Sequence, residues 1–188
     1  MDREYTLESF IQGLDRVTRE ESSPVAIVKQ VTPQLQRLLG NPGCIPAEFR
    51  RRGQNAYGRY MLHRAPGFNI TAIVWGPGDM AKAHNHETWG LIGVLENEIQ
   101  ETRFSRLDDR SKPGYAELQV KEVLKNRAGM VSCLVPPDDD IHEMNNVTNQ
   151  NTVEIHVYGR DLAGLQRLRF DPAKKTTAFF ASPKYDNC

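Results

Sequence analysis

The stretch "NITAIVWGPGDMAKAHNHETWGLIGVLENEIQETRF", residues 69–104, decides the fold class. It opens with a β-branched and aromatic run ending at Trp75. A Gly-Pro-Gly-Asp cluster breaks that run, and a second apolar run starts at Leu91. Short runs of this kind, punctuated by turn residues, read as strands. The same texture extends outward in both directions: "YGRYMLHRAPG" before it, then "YAELQVKEVLKN", "MVSCLVPPDDD", "TVEIHVYGRD" and "AFFASPKY" after it. This spacing predicts an all-β sandwich or barrel. There is no βαβ rhythm, no Gly-rich phosphate loop and no repeat of fixed period.

The first forty or so residues differ in period. Leu7, Phe10, Ile11, Leu14 and Val17 form an amphipathic helical stripe. Ser23 before Pro24 reads as an N-cap with proline at the first helical position. Pro33 is expected to split the second helix into two short pieces, with Gly40 as the stop. The expected organisation is one domain: residues 1–42 as a helical cover and a β-barrel from about residue 55 to 188.

Composition bounds the function. The chain has 188 residues, 26% of them charged, and a formal net charge of zero. That balance carries no polyanion signature, so nucleic acid is not an expected partner. No apolar run is long enough to span a membrane. Cys44, Cys133 and Cys188 are scattered without CxxC spacing. Such a set fits reduced thiols, and the expected compartment is the cytoplasm.

"TVEIHVYG", residues 152–159, poses a question. Val153, Ile155 and Val157 share one strand face, which is core; Glu154, His156 and Tyr158 share the other. That second face is either the wet side of a sheet or the wall of a polar pocket.

The histidines favour a pocket. His84 and His86 form an H-x-H, a spacing that puts both imidazoles on one strand face. His142 is the candidate third ligand from a distant strand, and imidazole suits iron or zinc. Glu87 and Glu143 each adjoin a candidate ligand and should point to the opposite face. His63 has no partner in sequence.

The context of these histidines resembles the cupin superfamily. Gly78, five residues and then His84-x-His86 match its first motif, although Gly90 and Leu91 stand where that motif usually places a glutamate ligand. Pro137, His142 and Asn146 match the second motif, with Asp139 in place of its glycine. Three stretches sharpen the resemblance: residues 57–104, "DIHEMNN" and "IHVYGRDLAGLQR". They resemble the cysteine dioxygenase family of thiol dioxygenases, and within it the bacterial 3-mercaptopropionate dioxygenase type. The resemblance implies a mostly β cupin barrel, the double-stranded β-helix, with Fe(II) held by His84, His86 and His142. It implies that His156 and Tyr158 stand behind the metal, with His156 holding the tyrosine hydroxyl in place. It also implies oxidation of a small carboxylated thiol (3-mercaptopropionate-like, cysteine or mercaptosuccinate) to its sulfinate by dioxygen.

Two departures stand out. Mammalian-type members carry a cysteine that crosslinks to the tyrosine; the matching position here is Gly90. The family serine two residues before the histidine is Glu154 here. Two arginines match the carboxylate-binding positions of two family types: Arg167, nine residues after Tyr158, and Arg59 in a Y-x-R with Tyr57. Arg160, Glu154 and Trp89 are further candidate substrate contacts. Alternatives in other classes are a three-histidine dioxygenase cleaving carbon–carbon bonds, a zinc hydrolase or hydratase, and a non-catalytic cupin that binds a small acid. The expected state is monomer or homodimer.

Overall fold

The computed structural model describes residues 5–53, 57–137 and 139–188. Two helices come first, α1 (Leu7–Glu20) and α2 (Pro24–Leu39). Thr6 caps α1, its side chain accepting from the Ser9 N–H, and Ser23 caps α2 by accepting from the Ala26 N–H. The stripe read from the sequence is the packing face: Phe10, Leu14 and Val17 are buried.

The expected break at Pro33 does not occur. α2 runs unbroken from Pro24 to Leu39 with Pro33 inside it. An internal proline removes one helical hydrogen bond and costs about 3 kcal/mol. Here Val28, Val31, Leu35, Leu38 and Leu39 are all buried on both sides of the proline. Each fully buried side chain of this size contributes about 1.5–3 kcal/mol, so tertiary packing outweighs the local break.

Eleven strands follow: β1 (Gly58–Ala65), β2 (Phe68–Trp75), β3 (Met80–His84), β4 (Gly90–Glu96), β5 (Glu98–Arg106), β6 (Leu118–Arg127), β7 (Val131–Leu134), β8 (His142–Asn145), β9 (Thr152–Tyr158), β10 (Gln166–Asp171) and β11 (Thr176–Ala181). They form two antiparallel sheets, ordered β1-β2-β9-β4-β7 and β11-β10-β3-β8-β5-β6. This strand order is that of a double-stranded β-helix barrel, as the sequence leads one to expect. α2 packs against β4 and β7, so the helices cover the outside of the five-stranded sheet.

That cover decides the faces of β9. Val153, Ile155 and Val157 join the cluster that includes Phe10, Leu14 and Leu35. Glu154, His156 and Tyr158 point the other way, between the sheets, yet every β9 residue is buried. The second face of this strand is therefore no wet surface but an interior wall. Asn146 ties the neighbouring strand ends together: its side chain donates to the Trp75 and Gln150 carbonyls at 3.0 and 2.8 Å. No helix among the described residues is long and apolar enough to cross a membrane.

Candidate metal centre and active site

The six-stranded sheet supplies the histidines. His84 closes β3 and His142 opens β8, and the two are register partners across that antiparallel pair. Their rings therefore project from the same face, with centroids 5.0 Å apart. His86 lies just past β3 and is held by its own backbone N–H, which donates to Asp140 Oδ2 at 3.0 Å. Its ring centroid lies 4.7 Å from that of His84 and 4.8 Å from that of His142. One ring nitrogen from each of the three lies within 4.8 Å of the others. Glu87 and Glu143 stand outside this cluster; Glu143 is a strand residue of β8, whereas Glu87 lies past β3 in a left-handed backbone conformation with φ 57°.

The outer nitrogens fix the tautomers. Nδ1 of His84 donates to the Lys82 carbonyl at 2.8 Å, and Nδ1 of His86 to the Asp140 carbonyl at 2.9 Å. Nδ1 of His142 donates to Glu101 Oε1 at 2.8 Å. Carbonyl and carboxylate oxygens only accept, so each Nδ1 carries the proton and each Nε2 presents a lone pair. Nε2 of His86 is buried with no hydrogen-bond partner. Burial pushes His84 and His86 well below the usual histidine range, and the neighbouring imidazoles and Arg167 add to it. Neutral imidazoles with converging lone pairs, one of them orphaned, fit a divalent metal such as iron or zinc. Glu101 stays ionised: burial opposes its charge, but the hydrogen bonds from His142 and Ser132 and the field of Arg103 outweigh that and hold it down at about 2.

The five-stranded sheet supplies the opposite wall. Glu154 Oε2 accepts from the Trp75 indole N–H at 2.6 Å and from His156 Nε2–H at 2.8 Å. That leaves His156 Nδ1 as an acceptor, and the Tyr158 hydroxyl donates to it at 2.8 Å. The Tyr158 ring also stacks on His86, centroids 5.4 Å apart with 17° between the planes. Gly90 makes room for it: a Cβ at this position would lie 2.7 Å from a Tyr158 ring carbon. Burial raises the phenol's pKa well above its ordinary value.

Between the walls lies a cavity of about 290 Å³, lined by the three histidines, His156, Tyr158, Arg59 and Arg167, with Ile73, Trp75 and Phe180 among its apolar surfaces. Both arginines are buried. Arg167 donates to the Asn85 carbonyl at 2.7 Å and to Ser182 Oγ, and its guanidinium covers the Phe180 ring. Arg59 donates to the Pro183 carbonyl and lies over Tyr185. Tyr57 lines the cavity as well and packs on Trp75 at 4.3 Å between centroids.

Three expected substrate contacts lie elsewhere. Glu154 is fully buried behind His156, engaged with that ring and Trp75, and does not line the cavity. Trp89 packs in the core cluster with the helices, because it occupies the opposite face from the cavity. Arg160 is exposed in the turn after β9 and is not a lining residue. His63 instead stacks near Phe68, away from the cluster.

Several contributors escaped the sequence reading: Glu101, Asp140, Trp75, Ser182 and Tyr185. Glu101 carried a usable signal. Ile99, Glu101 and Arg103 alternate on one face of β5, and charges sharing a face with a core isoleucine suggest an internal network. Ser182 and Tyr185 sit on the tail after β11 and reach the site only through the fold.

With this geometry in place, comparison with known proteins is decisive for the family. The family model described as cysteine dioxygenase type I matches residues 26–171. The chain belongs to the cysteine dioxygenase type I family. The family implies an oxygenase, and the three histidines form a group that could hold a metal ion. Similar solved structures include the protein TT1209 from Thermus thermophilus, at 16% identity and TM-score 0.46, over 60% of this chain and 90% of that one. A Klebsiella pneumoniae protein with a double-stranded beta-helix domain gives 15% and 0.46, over 72% and 92%. Oxalate oxidase in complex with the substrate analogue glycolate gives 16% and 0.45, over 61% and 58%.

Proposed function

We propose that this member of the cysteine dioxygenase type I family is an Fe(II)-dependent thiol dioxygenase acting on a small carboxylated thiol. The reaction adds both atoms of dioxygen to sulfur, R–SH + O2 giving R–SO2H, with nothing else consumed. The observation that carries this reading is the pairing of three lone-pair-bearing imidazoles with two buried arginines in one small cavity. His84, His86 and His142 would hold the iron, which would supply the redox chemistry for joining sulfur and dioxygen.

The chain's own residues do the rest. Arginine suits a carboxylate because its planar fork can bind both oxygens, so Arg59 and Arg167 hold the acid end of the substrate. Tyr158 is kept protonated by burial and oriented by His156, leaving its oxygen lone pairs free to accept from a bound substrate. Glu154 acts through His156, fixing the tautomer that makes Tyr158 a donor toward the wall. The apolar surfaces of Ile73, Trp75 and Phe180 limit water around the reacting atoms. We place the enzyme in the cytoplasm, working on a small thiol and dioxygen, as a monomer or homodimer, without nucleic acid. Its three free cysteines agree with a reducing compartment.

The test is oxygen uptake by Fe(II)-loaded protein with 3-mercaptopropionate, cysteine and mercaptosuccinate, with a β-diketone as control and the product identified by mass. Sulfinate formed in proportion to oxygen consumed supports the reading. Uptake with the diketone alone would overturn it. His142→Ala should lose stoichiometric iron, and full iron occupancy in that variant would rule out the ligand assignment.

A further inference from the structure

The segment after β11 ties the two sheets together beside the cavity. β11 is the edge of the six-stranded sheet and β1 the edge of the five-stranded one. Residues 182–187 leave the first edge and run along the second. Ser182 is still bridged to Ala163, and its carbonyl accepts from the Gly164 N–H at 3.2 Å. Asp186 exchanges two bonds with the Arg59 backbone: its N–H donates to the Arg59 carbonyl at 2.7 Å, and its Oδ2 accepts from the Arg59 N–H at 2.8 Å. Asn187 serves Met61 with its side chain alone. Its Oδ1 accepts from the Met61 N–H at 2.9 Å, and its Nδ2 donates to the Met61 carbonyl at 3.0 Å. These contacts supply the pairing that an edge strand otherwise lacks.

Tyr185 anchors the middle of the segment and is buried. Its hydroxyl donates to Asp161 Oδ1 at 2.7 Å and accepts from Asn69 Nδ2 at 3.1 Å. The Arg59 guanidinium lies over its ring at 4.9 Å.

The two buried guanidiniums of the cavity end on consecutive residues of this segment. Arg167 comes from β10 and donates to Ser182 Oγ; Arg59 comes from β1 and donates to the Pro183 carbonyl. Among the described residues, their one further hydrogen-bond acceptor is the Asn85 carbonyl, which takes Arg167. An arginine has a long, rotamer-rich stem, so its planar fork keeps one position only where fixed acceptors hold it. Those acceptors are as fixed as the segment that carries them.

We propose that residues 182–187 are a positioning clasp for the cavity. Asp186 and Asn187 pin the segment to β1, and the pinned segment presents Ser182 and Pro183 to the two guanidiniums. The clasp rests on the thiol dioxygenase reading for what those guanidiniums meet. It goes beyond that reading by making Asp186 and Asn187, neither of which lines the cavity, determinants of substrate affinity.

Asp186→Ala in the Fe(II)-loaded protein is the direct test, with 3-mercaptopropionate compared against 3-mercapto-1-propanol, which has no carboxylate. KM for the acid should rise about tenfold or more while kcat changes little, because misplaced binding groups weaken substrate capture. KM for the alcohol and iron content should be unchanged. Asp186→Asn keeps an oxygen acceptor for the Arg59 N–H and should restore the KM of the acid. Asn187→Ala should act in the same direction, and thermal melting checks that each variant folds. Equal KM changes for the two thiols, or none for the acid, would overturn the clasp and leave thiol dioxygenation intact. A second measurement needs no turnover. NMR titration of the full-length protein with propionate should show weaker binding in Asp186→Ala, regained in Asp186→Asn. Propionate affinity equal in all three proteins, or absent from all three, would overturn the clasp whatever the chemistry. Weakening and rescue in a protein that oxidises no thiol would sustain the clasp and overturn the thiol reading instead.

Discussion

Arg103 and the Arg59–Arg167 pair are all buried arginines in the same barrel, and they do opposite things. Arg103 has its partners within the chain. It lies 3.5 Å from Glu101 and 3.0 Å from Asp139, and it donates to Ser132 Oγ and to the Cys133 and Asp139 carbonyls. The guanidinium groups of Arg59 and Arg167 have carbonyl and hydroxyl acceptors but no counter-charge within 4 Å among the described residues. Burial alone therefore does not mark a functional arginine. The missing counter-charge does, because a fold tolerates an uncompensated buried cation only where something else supplies the anion.

The contrast predicts a stability gap first. Arg103→Met strands Glu101 and should cost about 3–5 kcal/mol, read by chemical denaturation. Arg167→Met removes an unpaired charge, and its midpoint should be unchanged or higher. Equal losses in the two variants would erase the distinction between the regions. Function should show the reverse order. Loss of one charged hydrogen-bonding partner is worth about 1.5–3 kcal/mol, so Arg167→Met should lower kcat/KM for a carboxylated thiol about 10- to 150-fold.

Glu101 belongs to both regions, since it faces Arg103 and also accepts from His142. Glu101→Gln keeps the shape and removes the charge. Partners behind metal-ligating histidines typically account for about 10–100-fold in metal affinity, and iron competition assays should show a loss in that range. Unchanged iron affinity would mean that His142 needs no help from the Arg103 region.

The smallest effect concerns thiols. Cys188 is exposed, whereas burial pushes Cys44 up to about 11 and raises Cys133. Alkylation at neutral pH, followed by peptide mass, should modify Cys188 first. Cys133 gives its carbonyl to Arg103, so faster labelling of Cys133 in Arg103→Met than in Arg167→Met would localise the loosening.

Much of this site was legible in the sequence because strands carry a strict period of two. That period placed His156 and Tyr158 on one face of β9; His84 ends β3, whereas His86 lies beyond the strand and is placed by Asp140 instead. The helical stripe was legible for the same reason at a different period. What stayed hidden came from pairing across long separations. Glu101 meets His142 because β5 and β8 are neighbours in the sheet, a register that no local pattern declares. Ser182 and Arg167 meet through the β10–β11 hairpin. Trp89 and Arg160 misled because closeness in sequence to His86 and Tyr158 says nothing about which side of the wall a residue occupies. Pro33 misled because its local cost was weighed without the packing on either side. Glu154 was correctly singled out as unusual, but its position behind His156 emerges only once Trp75 is seen to claim the same oxygen.

Gly90 has a consequence in time. With a hydrogen atom where a thiol would otherwise face the Tyr158 ring, the tyrosine is held by packing, by stacking on His86 and by its hydrogen bond to His156, with no covalent link at residue 90. Nothing at that contact can be altered by use. On the proposed thiol dioxygenase reading, the first reaction and every later one meet a Tyr158 that carries no link to residue 90. Preparations of different age should share one intact mass, with no loss of two hydrogens from a thioether at this contact.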